Sequence, residues 1–258
     1  MRIESIYVSP VKSLGMTRLE RAEVTTRGIA GDRAFVIADE RGRVVTQREC
    51  PPMVRARAEY DVANERLRLI LPDATIEDAV RTTEDVETRF YDNPIAGAYT
   101  DGAFDAALSS FMGVAVRLVK VRADAHGFDA FPISICSLAS LERVREAATV
   151  DAMDERRFRQ NIYISGAAAP HEEDTWIGRD VRAGAVTLRP MMQDLRCRIT
   201  TQNPDTGERD LDTLNIIAGY RKGEPKQVNF GVYCNVVTSG VIAVGDDVRP
   251  EVVAETAR

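Results

Sequence analysis

From Arg2 to Asp39 the chain passes through RIESIYVSP, LERAEVTT and DRAFVIAD, short stretches in which β-branched and aromatic residues alternate with polar ones. Side chains two apart share a face of a strand, so this alternation predicts half-buried β-strands. Turn signals punctuate the runs: Arg41-Gly42 precedes RVVTQ, and Pro72-Asp73 closes RLRLILP. VRLVKV, FRQNIYISG, AVTLRP, RCRITTQ, GVYCNVVTSG and VIAVGDDV carry the pattern to residue 248. No β-α-β alternation runs through the chain and no glycine-rich phosphate loop appears. Many short strands with few short helices predict a mainly β (α+β) protein of barrel or sandwich type, in two β-rich lobes meeting near residue 120.

Three segments break the alternation. DGAFDAALSSFMG (101–113) spaces Phe104, Leu108 and Phe111 as on a helix, with Gly113 suited to end it. SLASLERVREAAT places Leu138, Leu141 and Val144 on one stripe behind Ser137, a helix-capping residue. LDTLNIIAGY predicts a third, short helix. Residues 122–131, RADAHGFDAF, are polar and aperiodic, as expected of a linker or a loop over a site.

Composition narrows the function. A net charge of -6 argues against a broad nucleic-acid surface, though not against a local basic pocket. The N-terminus has no apolar signal region and no run is long enough to span a bilayer, so a cytoplasmic, membrane-free protein is expected. Cys50, Cys136, Cys197 and Cys234 form no C-x-x-C pair, which argues against zinc knuckles, iron–sulfur clusters and a disulfide framework. With only His126 and His171, a multi-histidine metal site is nearly excluded.

The stretch DLRCRITTQNPDTGERD (194–210) poses the central question. NPDTG predicts a hairpin turn, with Pro204 and Gly207 at positions that suit them. Read as a strand, 196–202 puts Cys197, Ile199 and Thr201 on one face and Arg196 on the other. Cys197 is then either a buried structural residue or a thiolate. The second reading needs a twist or bulge that lets Arg196 reach the same site. Other segments set cations beside turns: Lys12 and Ser13 in SPVKSLG, Arg33 in GIAGDRAF, Arg48 in VVTQRE, and Arg159 with Asn161 in FRQNIYISG. Each alone is an ordinary surface charge; together they could form a pocket for a phosphorylated or polyanionic ligand.

These pieces, in this order, resemble the MOSC proteins, in the branch that carries an N-terminal MOSC β-barrel domain and includes the mitochondrial amidoxime-reducing components. SPVKSLG…TTRGIAGDRAFVIADERGRVVTQRE carries the N-terminal resemblance. FRQNIYISG…LRCRITTQNPDTG…FGVYCNVVTSGVIAVGDDV carries the C-terminal one. The resemblance implies a smaller β-barrel-like domain over 1–120 and a MOSC-type β-barrel over 121–258. It implies a pyranopterin dithiolene molybdenum cofactor, with Cys197 as metal ligand and catalytic residue. Lys12, Ser13, Arg33, Arg48, Arg159, Asn161 and Arg196 would bind the cofactor. A soft thiolate suits a sulfur-rich metal site. The implied activity is reduction of N-hydroxylated or N-oxygenated small molecules. Electrons are expected from a separate ferredoxin-like or cytochrome/flavin-reductase-like protein, since the chain stops at Arg258 without a cysteine cluster.

The chain departs from the family pattern at Leu195, where a serine is usual, at Ala130 and Phe131, where hydroxyl or small residues stand, and at Gln160, where proline stands. Asp194 is either a proton donor near the metal or an ordinary strand-end carboxylate. Trp176, Cys50, Cys136 and Cys234 are expected to be structural. Two other readings stay open: a sulfur carrier or sulfurtransferase using a Cys197 persulfide, and a cofactor-binding module without turnover.

Overall fold

The computed structural model describes residues 1–221 and 228–251; the rest of the C-terminal lobe expected from sequence, 222–227 and 252–258, lies outside them. The N-terminal half contributes β1 (Arg2–Val8), β2 (Thr17–Leu19), β3 (Arg21–Thr25), β4 (Gly28–Ile29), β5 (Phe35–Asp39), β6 (Arg57–Asp61), β7 (Arg66–Ile70), β8 (Thr75–Ala79), β9 (Thr82–Phe90), β10 (Asn93–Thr100), α1 (Ala103–Met112) and β11 (Val116–Val121). The C-terminal half contributes β12 (Ile133–Ser137), α2 (Leu138–Ala148), β13 (Ile162–Ser165), β14 (Val181–Ala183), β15 (Val186–Leu195), α3 (Thr213–Tyr220), β16 (Asn229–Thr238), β17 (Gly240–Ala243) and β18 (Val248–Pro250). The protein is mainly β, as the alternation predicts. No sheet closes on itself among the described residues.

The largest sheet has the order β18-β14-β15-β16-β12-β13-β1-β2, so the first strand of the chain is stitched antiparallel to β13. A second sheet, β17-β3-β4, again joins a late strand to early ones. Between them lies a core of aliphatic side chains from both ends of the sequence, including Ile3, Ile6, Val24, Ile135, Ile164, Val232 and Ile242, with Trp176 buried among them. A second core, with Phe35, Ile37, Met53, Leu67, Leu69, Phe104 and Leu118, belongs to residues before 120. At about 1.5–3 kcal/mol per large apolar side chain removed from water, the first core fastens β1 where it lies. That strand carries the Lys12 turn into the other half of the molecule.

The helices form where their spacing places them. Ser137 caps α2 by accepting from the Ser140 amide, and Gly113 ends α1 in the left-handed conformation at φ 69°. Two expectations are corrected. RVVTQ is not a strand: it makes only isolated bridges, Ala38 to Val44 and Arg43 to Arg89, because the chain turns at Thr46, whose amide and hydroxyl both donate to Glu49. RCRITTQ is not a strand either. β15 ends at Leu195, and Arg198–Thr201 form a 3-10 turn whose Thr200 and Thr201 hydroxyls donate back to the carbonyls of Cys197 and Arg198. Hydroxyls that satisfy nearby carbonyls in this way compete with a ladder. One β-α-β unit is present, since β12 and β13 run parallel across α2, but as expected no such alternation runs through the described residues.

The NPDTG turn forms as expected, with Gln202 bridged to Arg209 and Gly207 at φ 80°. A β-carbon on Gly207 would lie 2.3 Å from the Pro51 carbonyl oxygen, whereas one on Gly113 would meet nothing within 4 Å. Gly113→Ala should therefore lose only left-handed backbone strain, about 1 kcal/mol. Gly207→Ala adds a clash with backbone and should lose more than about 2 kcal/mol in urea unfolding. Equal losses would contradict the packing of this turn against residues 51–52.

Candidate functional site

Lys12 and Ser13 occupy the turn after β1. Ser9 Oγ donates to the carbonyls of Val11 (2.9 Å) and Leu14 (3.0 Å), folding the turn back on itself. Arg33 precedes β5; its amide donates to the Ser9 carbonyl (3.0 Å), while the Ser9 amide donates to Asp32 Oδ1 (2.7 Å). Arg159 ends a 3-10 turn, Glu155–Phe158, rather than starting a strand, and Asn161 follows just before β13. Ser13, Arg33 and Arg159 all have positive φ, at 72°, 49° and 53°. Non-glycine residues adopt that region rarely, and it is left-handed turns, not strand alternation, that aim these side chains inward.

One cavity is lined by all eight residues singled out in the sequence: Lys12, Ser13, Arg33, Arg48, Arg159, Asn161, Arg196 and Cys197. Cys197 and Arg196 reach it together because the chain leaves β15 at a register shift between Gln193 and Leu195 and then turns. Leu195 points away and is 59% exposed. Arg48 Nη2 donates to Cys197 Sγ at 3.2 Å, and the Arg48 guanidinium lies 5.5 Å from the Tyr91 ring centroid. Arg198 Nη2 holds the Arg48 carbonyl (2.7 Å) and Gln202 Nε2 the Gln47 carbonyl (3.1 Å), so the cysteine turn and the Arg48 segment are fastened together.

Each cation is gripped by the protein. Arg33 pairs with Asp32; Arg159 donates to the Leu14 carbonyl (2.9 Å) and Ser9 Oγ (3.1 Å). Arg196 pairs with Asp194 and donates to the Phe158 carbonyl. Lys12 Nζ pairs with Asp129, donates to the Gly127 carbonyl (2.8 Å) and stands 4.3 Å from the Phe90 ring centroid. The Asn161 amide is spent within the protein: it donates to the Tyr7 carbonyl (3.1 Å) and Asp32 Oδ2 (2.9 Å) and accepts from Ser134. Asn161 thus holds β1 and β12 in position beside the cavity. Ser13 Oγ has no protein partner among the described residues.

Asp194 is buried at the end of β15, and Gln160, at the position where proline was expected, donates to its Oδ2 at 2.9 Å. This carboxylate serves as the ion partner of Arg196. Asp129, Phe128, Ser134, Ile199 and Tyr233 also line the cavity without having been assigned a role there. The sequence holds a signal for three of them. Phe128 and Asp129 lie in the aperiodic loop, and Tyr233 alternates with the buried Val232 and Cys234, so it faces the other way. Phe131 lines the wall with its ring 6.2 Å from that of Tyr233. Cys136, Cys234 and Trp176 are fully buried and Cys50 is half-buried, with burial pushing the three thiols up.

Five cations stand against three carboxylates, Asp129 and Asp194 in the lining and Asp32 behind Arg33, leaving a positive surplus. Burial, and then the Arg33 charge, push the Arg159 guanidinium down to about 9. Burial also pushes Lys12 down, against the pull of Asp129. Arg48 is raised: burial opposes its charge, but Cys197 favours it. Arg196 Nε is buried with no protein partner among the described residues. A cavity so arranged suits an anionic ligand, which would relieve the crowding of like charges. Its single thiol, on a turn with a cation at hydrogen-bond distance, suits a soft metal. The donor set therefore fits a phosphorylated, sulfur-ligated molybdenum cofactor.

A model of the MOSC domain matches residues 122–249, and a model of the MOSC N-terminal beta barrel domain matches residues 1–115. The chain is 28% identical over 288 residues to mitochondrial amidoxime reducing component 2 of Bos taurus, covering 95% of this chain and 82% of that protein. It is 28% identical over 300 residues to mitochondrial amidoxime-reducing component 1 of Mus musculus, covering 95% and 81%. It is 23% identical over 253 residues to a molybdenum cofactor sulfurase of Drosophila willistoni, covering 92% of this chain and 31% of that protein.

Asp129 supplies a pH test of the site's electrostatics. Burial opposes its charge, yet Lys12, then Arg33 and Arg48, hold it at about 2, below its usual 3.8. A folded value below the unfolded one gives stability that is whole above the unfolded value and lost as pH falls toward the folded one. The side chain is 51% exposed. Solvent screening therefore limits the effect to about 1 kcal/mol. Between about pH 5 and about pH 3, urea unfolding of Asp129→Asn should lose less stability than the wild type. Equal losses would contradict the pairing.

Proposed function

We infer that this chain, which belongs to the MOSC proteins and carries their N-terminal β-barrel domain as well, is a molybdenum-cofactor-dependent reductase of N-hydroxylated or N-oxygenated small molecules. The observation that carries this reading is the Cys197 thiol, 3.2 Å from Arg48 Nη2 in a cavity also lined by Lys12, Arg33, Arg159 and Arg196. The similarity to amidoxime-reducing components over 95% of the chain supports the reaction class.

When bound, the cofactor would supply the redox chemistry of oxygen-atom transfer. The protein's part is to bind and orient it. Cys197 would be the metal ligand, with Arg48 Nη2 donating to its sulfur. Lys12, Ser13, Arg33, Arg159 and Arg196 would hold the phosphate end, with Ser13, Arg33 and Arg159 already aimed by left-handed turns. Such preorganised donors need little rearrangement when charge arrives. Asn161, Asp32 and Asp194 position the cations. Phe131 and Tyr233 provide an apolar wall for a substrate. Electrons would come from a separate donor protein.

A second reading has its own support in the similarity to part of a molybdenum cofactor sulfurase. In it Cys197 carries a persulfide for delivery to a metal centre. Protein from cells able to make the cofactor separates the two. Inductively coupled plasma mass spectrometry should find stoichiometric molybdenum in the wild type and its loss in Cys197→Ala. Equal molybdenum in both would overturn the ligand assignment. A mass gain of one sulfur atom on Cys197 without molybdenum would favour the sulfur carrier.

A further inference from the structure

One of the three carboxylates paired with the site cations differs from the other two. Asp32 and Asp194 are side chains of the framework: Asp32 bonds Ser9, Arg33 and Asn161, and Asp194 bonds Arg196 and Gln160. Asp129 belongs to no strand or helix. It lies on the connection between β11 and β12, and its only protein partner among the described residues is Lys12, while its side chain stays 51% exposed. It therefore sits on the cation surplus from outside, reaching in from the solvent edge.

The connection is fastened so that this reach is built in. A β-carbon on Gly127 would lie 2.4 Å from the Arg33 carbonyl oxygen, so the backbone packs against the cation cluster closer than any other residue allows. Lys12 Nζ holds the Gly127 carbonyl at 2.8 Å. At the far end the Pro132 carbonyl oxygen would be 2.6 Å from a β-carbon on Gly28. Arg27 donates to the Ala125 carbonyl. With both ends pinned, Asp129 is presented to Lys12, with Arg33 and Arg48 close enough to stabilise its charge.

We propose that the Asp129 carboxylate is an internal competitor for the anion site, so that the cavity selects ligands by charge, admitting dianionic phosphate groups and rejecting monoanions. This rests on the reading of the cavity as anion-binding given above. A monoanion that displaced Asp129 from Lys12 would exchange one ion pair for another and give up the order of the connection. A phosphate monoester carries close to two charges at neutral pH and three acceptor oxygens. It can engage Lys12 together with Arg33 and Arg159, which one carboxylate cannot. The displaced carboxylate need only turn to the solvent side, where half of it already lies. The site would thereby stay closed to the carboxylates and other monoanions of the cell while remaining open to a phosphorylated cofactor.

The test uses the full chain purified from cells unable to make a pterin cofactor. Isothermal titration calorimetry at about pH 8 follows inorganic phosphate, mainly a dianion there, and acetate as the monoanion. The wild type should bind phosphate and show no measurable acetate binding. Asp129→Asn should bind phosphate on the order of tenfold tighter and acquire acetate binding. In a Lys12→Ala background the same substitution should change phosphate affinity little. Asp129→Ser provides a second replacement, and a cooperative melting curve establishes that each variant is folded. Wild type binding acetate as tightly as phosphate overturns the proposal without any variant. Phosphate binding to the wild type that Asp129→Asn leaves unchanged or weakens also overturns it, while the anion site stands. Phosphate binding to neither protein overturns both the proposal and the anion-site reading beneath it.

Discussion

Lys12, Arg33, Arg159 and Arg196 share one largely buried cavity, and like charges in such a place repel while losing their water. The protein holds them there by giving each its own anchors. Arg33 has Asp32, Arg196 has Asp194 and the Phe158 carbonyl, Arg159 has the Leu14 carbonyl and Ser9 Oγ, and Lys12 has Gly127 and Asp129. Those anchors come from both halves of the sequence. Placing β1 in the same sheet as β12 and β13, on either side of α2, is what allows Ser9 to meet Arg159 and Tyr7 to meet Asn161. The topology of the large sheet and the electrostatics of the cavity are therefore one constraint seen at two scales.

Backbone geometry bears part of the same constraint. Ser13, Arg33 and Arg159 occupy the left-handed region at about 1–3 kcal/mol each. Their turns persist because hydrogen bonds over-determine them, as where the Arg33 amide meets the Ser9 carbonyl and the Arg159 amide meets the Arg156 carbonyl. Strain of this kind, clustered on residues that face one cavity, is a mark of a site built before its ligand arrives. It also makes the cations rigid, which lowers the ordering entropy a ligand must overcome.

Much of this was legible in the sequence, and the exceptions have physical causes. Two of the three helices announced themselves through their apolar stripes and their end residues, because Ser137 and Gly113 act locally. The NPDTG turn did so too. Arg196 and Cys197 were misplaced on opposite faces of a strand because Thr200 and Thr201 draw the chain into a 3-10 turn, a choice that alternation cannot register. RVVTQ failed for a similar reason, its Thr46 hydroxyl bonding Glu49. The eight residues line one cavity, and their convergence depends on long-range pairing of β1 with β13 that no local pattern encodes. Asp129 carries a role that only its ion pair with Lys12 reveals.

The bond between Cys197 and molybdenum is the central claim, and it can be seen directly. Crystals of protein purified from cofactor-competent cells would be measured above and below the molybdenum absorption edge. The anomalous difference map should show one peak bonded to Cys197 Sγ, inside the cavity lined by Lys12, Arg33 and Arg159. A molybdenum peak at Cys50 or elsewhere, with the Cys197 sulfur unbonded, would contradict it.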